Sequence, residues 1–463
     1  MKKDLTKGNV TKTMLLFAGP MILGNLLQQG YNIVDTLIVG HFLGAEALAA
    51  VGSAYTLMTF LTSVLIGLCM GSGSVFSMYF GKKDEERMKS SMYASFLLIG
   101  GVSLVINLLV VLLKRPILQL LQVPTELMEL MEAYVGMIFL GIFFVFLYNY
   151  FPFLLRALGN SVAPLWFLGT SAVLNIVLDL VFVAVWHREI RGAAEATVIA
   201  QIFSGVGLGV YTWYKEPRLR PKFAALKAWQ GVERASGQAE GAGKEMGSRQ
   251  AQKGVLKEIL RFSTATCIQQ SVMNFGILMI QGLVNSFGTQ VMAAFAAAVK
   301  IDSFAYMPAQ EFGNAFSLFI SQNHGAGEKE RVKKGVRSAV SVSMLFCLCI
   351  SVIVWITAPL LMQIFIDGSE REIIAIGTGY LRVEGAFYCG IGLLFLLYGY
   401  FRGVGQPEMS IVLTVISLGT RVLLAYVLAP IPQIGVWGIW WAIPIGWLLA
   451  DITGVWRMRA RRA

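Results

Sequence analysis

Asp35 and Asp179 each lie inside a run of apolar residues, and each has amide side chains on its own helical face. Asn25, Gln28 and Asn32 precede Asp35 at steps of three and four, and Asn175 stands one turn before Asp179, so each acid continues a polar stripe. A carboxylate within hydrocarbon costs at least about 2.5–3.5 kcal/mol, so acids kept there are functional, paired or facing water. Thr197 and Tyr134 sit near the ends of two further apolar runs, at a depth that lets them converge on the same place. A carboxyl group so placed can take up and release a proton. The same carboxylate, amide and hydroxyl oxygens could instead cage Na⁺, a hard cation, at Asp35, Asn175 and Asp179. Both ions remain open, and no other cofactor is expected.

The elements that must carry these residues follow from hydropathy. The 463 residues are 56% hydrophobic and only 14% charged, with a mean hydropathy of +0.65, which excludes a water-solvated globule. Apolar runs about 20 residues long suffice to cross a hydrocarbon core of roughly 30 Å. Twelve are expected, near 14–40, 47–79, 91–113, 127–156, 162–186, 192–214, 256–286, 290–322, 336–362, 373–401, 407–429 and 435–457. The net charge of +11 sits in loops rather than on a face interleaved with aromatics, so nucleic acid is excluded as a partner. The N-tail, the loops at 80–90, 156, 215–261, 323–337 and 402, and the C-tail hold roughly 30 of the 38 basic residues. Both termini are therefore expected in the cytoplasm, in a multi-pass protein of the plasma (inner) membrane in contact with lipid. The first apolar run is too long for a signal peptide and lacks a small-residue cleavage site.

A Gly-, Ala-, Gln- and Lys-rich stretch at 215–255 reads as a cytoplasmic linker between an N-terminal lobe, 1–214, and a C-terminal lobe, 256–463. The lobes repeat one another. Gly44 answers Gly288, Ala49–Ala50 answers Ala293–Ala294, and Gly81 and Arg87 answer Gly325 and Arg331 at one offset; Gly159 and Gly192 answer Gly405 and Gly438 at a nearby one. Six helices per lobe bring the chain back to its starting side, so the repeats are parallel. The expected fold is all-α and membrane-integral: twelve transmembrane helices in two six-helix lobes about a pseudo-two-fold axis along the membrane normal, with a substrate cavity between them.

At this level the residues resemble the MATE (multidrug and toxic compound extrusion) exporters. The resemblance rests on VDTLIVGHFLGAEALAA in the first helix and loop, LLRALGNSVAPL after the fourth, VLNIVLDLVFV in the fifth, SQNHGAGEKERVKKG after the eighth and GVWGIWWAIPIGW in the twelfth. It implies a cation-coupled antiporter that expels small organic compounds. In the branch with an N-lobe cation site, the family's first-helix Asp matches Asp35, its fifth-helix Asn and Asp match Asn175 and Asp179, and its Thr matches Thr197. It also matches a fourth-helix Asn to Asn149, which depth alone places farther inward, and a first-helix proline to Pro20, where a missing amide hydrogen and a ring clash can bend the helix.

A second branch keeps acids in its seventh and tenth helices. Here the seventh offers only amides, among them Gln270, Asn274 and Gln281, so the second lobe is expected to supply a polar substrate wall together with the Asn25, Gln28 and Asn32 stripe. Glu384 reads as a local pair with Arg382; Lys300 and Asp302, two apart and so not facing each other, read as pairing structurally with other helices; Arg156 and Arg402 read as helix-end cations near headgroups. Neither a nucleophile constellation nor a P-loop is present, so an enzyme or ATP-driven pump is not expected. The function expected is H⁺- or Na⁺-coupled export of cationic or amphiphilic compounds by a monomer. The alternative is a flippase or exporter of a lipid-linked precursor or endogenous metabolite.

Overall fold

The computed structural model describes residues 3–120, 125–220 and 242–460. Ten helices are each long and apolar enough to cross a membrane: Val10–Gly44, Ala50–Lys82, Glu85–Gln119, Val162–Val185, Glu189–Lys215, Gln252–Asn285, Thr289–Gly325, Lys329–Gln363, Pro407–Leu428 and Trp437–Ala460. Two bent pairs complete twelve spans, Leu127–Leu140 with Ile142–Ala157, bent by 47°, and Arg371–Ala386 with Tyr388–Gly403, bent by 53°. We number the spans first to twelfth in chain order. Several run past the expected ends by a few residues, among them Val10–Gly44 and Lys329–Gln363, because a helix need not stop where its apolar stretch does. The described residues contain no strand. Leucines, valines and tryptophans such as Leu104, Leu112, Leu345, Leu360 and Trp456 are exposed along the spans, as a lipid-facing surface requires.

The repeat is written into the backbone. Gly44 has φ 85° and ψ −174°, and Gly288 has φ 93° and ψ 174°. That region is open essentially to glycine alone, and each glycine turns the chain from one span into the next. The fourth helix closes at Gly159, φ 82°, with Asn160 N donating to Leu155 O at 2.9 Å, and the tenth at Gly405, φ 85°, with Gln406 N donating to Phe401 O at 2.8 Å. Both are the six-to-one closure in which a left-handed residue satisfies an orphaned helix-end carbonyl. Lys83 and Gly327 end the second and eighth helices the same way. The bends in the fourth and tenth helices also fall at equivalent places, at Gly141 and Phe387. These bends were not legible in the apolar runs.

The chain divides into two compact units, one comprising residues 1–2 and 27–264, the other 3–26 and 265–463. Both boundaries fall inside continuous helices, away from the lobe limits at 214 and 256. Within the second unit, the start of the chain is held by the end of the eighth helix and the beginning of the ninth. Arg331 donates to the carbonyls of Leu5, Lys7 and Gly8, Gln322 accepts from the Leu5 amide at 3.3 Å, and Thr11 and Ser338 share a hydrogen bond of 2.6 Å. Within the first unit, Ser263 bonds Ser72 and the Leu68 carbonyl, and Glu258 accepts from Tyr79. Of the stretch expected as linker, 221–241 lies outside the described residues, whereas 242–255 is helical and runs on into the seventh span.

Candidate functional site

The first unit brings Asp35 and Asp179 together. The first helix supplies Asp35 nine residues before its end at Gly44, and the fifth supplies Asp179, which is 0% exposed. The two carboxyl groups lie within electrostatic reach of one another. Immediately after Asp179 the helix widens into a π turn over Leu180–Val185. Such a turn leaves a carbonyl less tightly bound and recurs at functional sites. Asn175 is buried one α-turn earlier, and its amide donates to Thr197 Oγ1 of the sixth helix at 3.5 Å. Tyr134, buried in the first arm of the fourth helix, lies within electrostatic reach of both acids. Gly141 lets the fourth helix approach the sixth: a Cβ there would lie 2.8 Å from Val198 Cγ2.

The oxygens of this site outnumber its donors. Both carboxylate oxygens of Asp179, Oδ1 of Asp35 and Oδ1 of Asn175 are buried with no protein hydrogen reaching them. Leaving such atoms bare is costly, and an oxygen-only set of this kind suits a proton or a hard monovalent cation. No group of three or more His, Cys, Asp or Glu side chains that could hold a metal occurs among the described residues.

Other expected residues are placed elsewhere. Asn149 donates to the Val145 carbonyl of its own helix at 2.8 Å. The first-helix stripe is divided: Asn32 bonds Gln29 at 3.3 Å, Gln28 is half-buried, and Asn25 belongs to the second unit, where it donates to Glu311 at 3.0 Å. Helix continues unbroken through Pro20. Gln281 is engaged with Asn285 one turn along the seventh helix, and Gln270 and Asn274 are half-buried there.

Two readings of charged residues are corrected. Glu384 is only 1% exposed and lies beside Asp302, Tyr380 and Arg421, while Arg382 packs on Trp355 at 5.1 Å and donates to its carbonyl. Residues two apart on a helix point differently, so Glu384 faces the bundle and Arg382 its surface. Lys300 and Asp302 face apart, as their spacing led one to expect: Lys300 is exposed, and Asp302 is buried against that same group on other helices. Arg402 is 3% exposed rather than at a headgroup surface. It bonds Asn314 at 3.1 Å, and Asn314 donates to Glu311 at 3.2 Å. Isolated acids at helical spacing on the eighth and tenth helices were the available signal, and only packing could bring them together.

The MatE family model matches residues 20–181 and 265–427, one block in each half of the chain. A Bacillus subtilis protein described as probable multidrug resistance protein YpnP is 32% identical over 416 residues, covering 89% of this chain and 87% of the relative. Probable multidrug resistance protein NorM of Thermotoga maritima is 26% identical, covering 96% of this chain and 90% of the relative. The solved structure of a MOP superfamily transporter from Pyrococcus furiosus shares the fold with a TM-score of 0.84 at 23% identity, over 98% of this chain and 97% of that one. The chain therefore belongs to the MatE family: it is a multi-pass membrane transporter of two-lobed, all-helical fold, not an enzyme.

Proposed function

We propose that this protein exports small organic compounds across the cell membrane by antiport, driven by inward movement of H⁺ or Na⁺ through the Asp35–Asp179 site. The observation that carries the reading is that buried carboxyl pair, assembled from two helices with its oxygens short of donors. A fully packed structural pair would have its lone pairs satisfied; these are left for an exchangeable ion. Relatives over nearly the whole chain are described as multidrug resistance or multidrug export proteins, which supports organic drug-like substrates. Each inward charge supplies about 2.3 kcal/mol per 100 mV, enough over a few charges to drive uphill export without nucleotide. Loading of the pair lowers its negative charge, emptying restores it, and the two states favour different exposures of the cavity. The basic loops support a cytoplasmic location for both termini, and one chain carries both lobes, so a monomer suffices.

The test is efflux of a fluorescent organic cation from inverted vesicles under separately imposed H⁺ and Na⁺ gradients. One gradient should drive transport, and Asp35→Asn or Asp179→Asn should abolish it at equal membrane abundance. Undiminished transport in both variants would refute the site, and no transport by the parent protein under either gradient would refute drug antiport in favour of a lipid-linked or metabolite cargo.

A further inference from the structure

In the second unit, the first arm of the tenth helix carries a stripe of small and basic residues. Arg371, Ala375, Thr378, Arg382 and Ala386 recur at steps of three and four, so they share one face. That face floors a groove of about 950 Å³, walled by Trp355 of the ninth helix and by Trp437 and Trp441 of the twelfth. The three tryptophans are about half exposed. Ile356 and Leu360, beside Trp355 and Pro359 in the ninth helix, are exposed as well, so the groove opens on the lipid-facing surface.

No acid lines this groove, and its two arginines are exposed. Among the described residues neither forms an ion pair. Glu370 and Glu372 flank Arg371 in the chain but stay outside the lining, Glu372 accepting from Gln290 at 3.1 Å. Arg382 lies over the Trp355 ring at 5.1 Å and donates from Nε to the Trp355 carbonyl at 3.5 Å. The guanidinium is thereby oriented, and the N–H groups of its two terminal nitrogens are left for an outside acceptor. One turn earlier Thr378 is 7% exposed, yet its Oγ1 is buried without a hydrogen-bond partner. Thr357, Thr414 and Thr453, in other spans, each donate to the carbonyl four residues back; Thr378 does not. Leaving a buried hydroxyl bare is costly unless a ligand takes its hydrogen. The first lobe has no such site, since the register that pairs Gly159 with Gly405 sets Glu132 at the place of Thr378 and Gly136 at that of Arg382, and Glu132 pairs with Arg115 at 3.4 Å.

Charge and position select the occupant. Two guanidinium groups without counter-ions call for an anion, and the planar fork of arginine matches phosphate. Tryptophans gather where hydrocarbon meets headgroups, and a groove that opens to the bilayer at that level meets lipid. We propose that it binds one anionic glycerophospholipid, whose phosphate accepts from Arg382 and Thr378 while its acyl chains lie along the exposed Ile356 and Leu360. Arg371, three turns nearer the helix start, draws the headgroup in. The site rests on the second unit alone, so it stands or falls separately from the role given to Asp35 and Asp179.

The experiment measures binding of radiolabelled phosphatidylglycerol to the purified full-length chain in detergent, with unlabelled competitors. Unlabelled phosphatidylglycerol should displace the label at a concentration at least about tenfold below that needed of phosphatidylcholine, and inorganic phosphate in excess should not displace it. Arg382→Gln should remove the preference for the anionic lipid, and Thr378→Val should weaken binding about tenfold. Ala375→Trp, which fills the groove and keeps both arginines, should abolish binding. Equal competition by the two lipids overturns the proposal, as does displacement by inorganic phosphate, which would mark a site for a free anion. Parent-like binding by any of the three variants overturns it too. Each variant is read on protein that elutes as a single species, so failure of one to fold leaves the others decisive.

Discussion

Replacing Arg402 by methionine removes the guanidinium that faces Glu311 in the Asn25–Glu311–Asn314–Arg402 network, while conserving most of the side chain's volume. Glu311 is buried and keeps two amide donors, Asn25 at 3.0 Å and Asn314 at 3.2 Å, but loses electrostatic contact with the guanidinium. Removing one partner of a buried ion pair costs about 3–5 kcal/mol, because the remaining charge stays desolvated. The two amides compensate part of this, each bond to a charged group contributing about 1.5–3 kcal/mol, so the low end of that range, ~3 kcal/mol, is expected. In a chain this long that corresponds to a fall in apparent melting temperature of about 3 °C. Glu311→Gln/Arg402→Met should recover much of the loss, since no unpaired charge is left, giving a coupling of about 1.5 kcal/mol or more. The assay is the melting of detergent-solubilised protein followed by size exclusion for the single and double variants. Additive losses, or an Arg402→Met variant as stable as the parent, would refute the idea that Arg402 acts through Glu311.

Three further outcomes are expected. Thr197→Val leaves the Asn175 amide without its 3.5 Å acceptor and should weaken coupling-ion activation of transport about tenfold, the effect of losing one polar contact, whereas Thr197→Ser should retain it; equal half-saturation for both variants would count against the site. Gly399→Val places a Cβ 2.6 Å from the Gly313 carbonyl oxygen, where the tenth helix crosses the eighth, and overpacking of about 1–3 kcal/mol or more should show as reduced yield of folded protein; parent-like yield and melting would refute the close approach. Arg331→Gln releases the Leu5, Lys7 and Gly8 carbonyls and should make the first ten residues markedly more sensitive to limited proteolysis, with transport little changed; an unaltered cleavage rate would exclude the clamp.

Membrane spans, their number and the internal repeat were legible in the sequence, because hydrocarbon thickness sets the length of apolar runs and glycine is the residue that closes helices through left-handed backbone. Asp35, Asn175, Asp179, Thr197 and Tyr134 were legible as a group because an acid in hydrocarbon is conspicuous and a helical stripe is a local property. What the sequence alone left undecided was which side chains share a neighbourhood. Asp302 and Glu384 lie far apart in the chain, and Glu384 stands close to Arg382, which suggests a local partner. Only the direction of each side chain from its helix, and the packing of the eighth, tenth and eleventh helices, turned them towards one another. Arg402 was misread for the same reason: its place at a helix end suggested a surface, whereas the Asn314 and Glu311 side chains of the eighth helix made that end part of the interior. Periodicity along a helix is local and one-dimensional, so it reveals that a polar face exists. Which face meets which is decided by the tertiary structure, since burying each charge depends on a partner contributed by another helix.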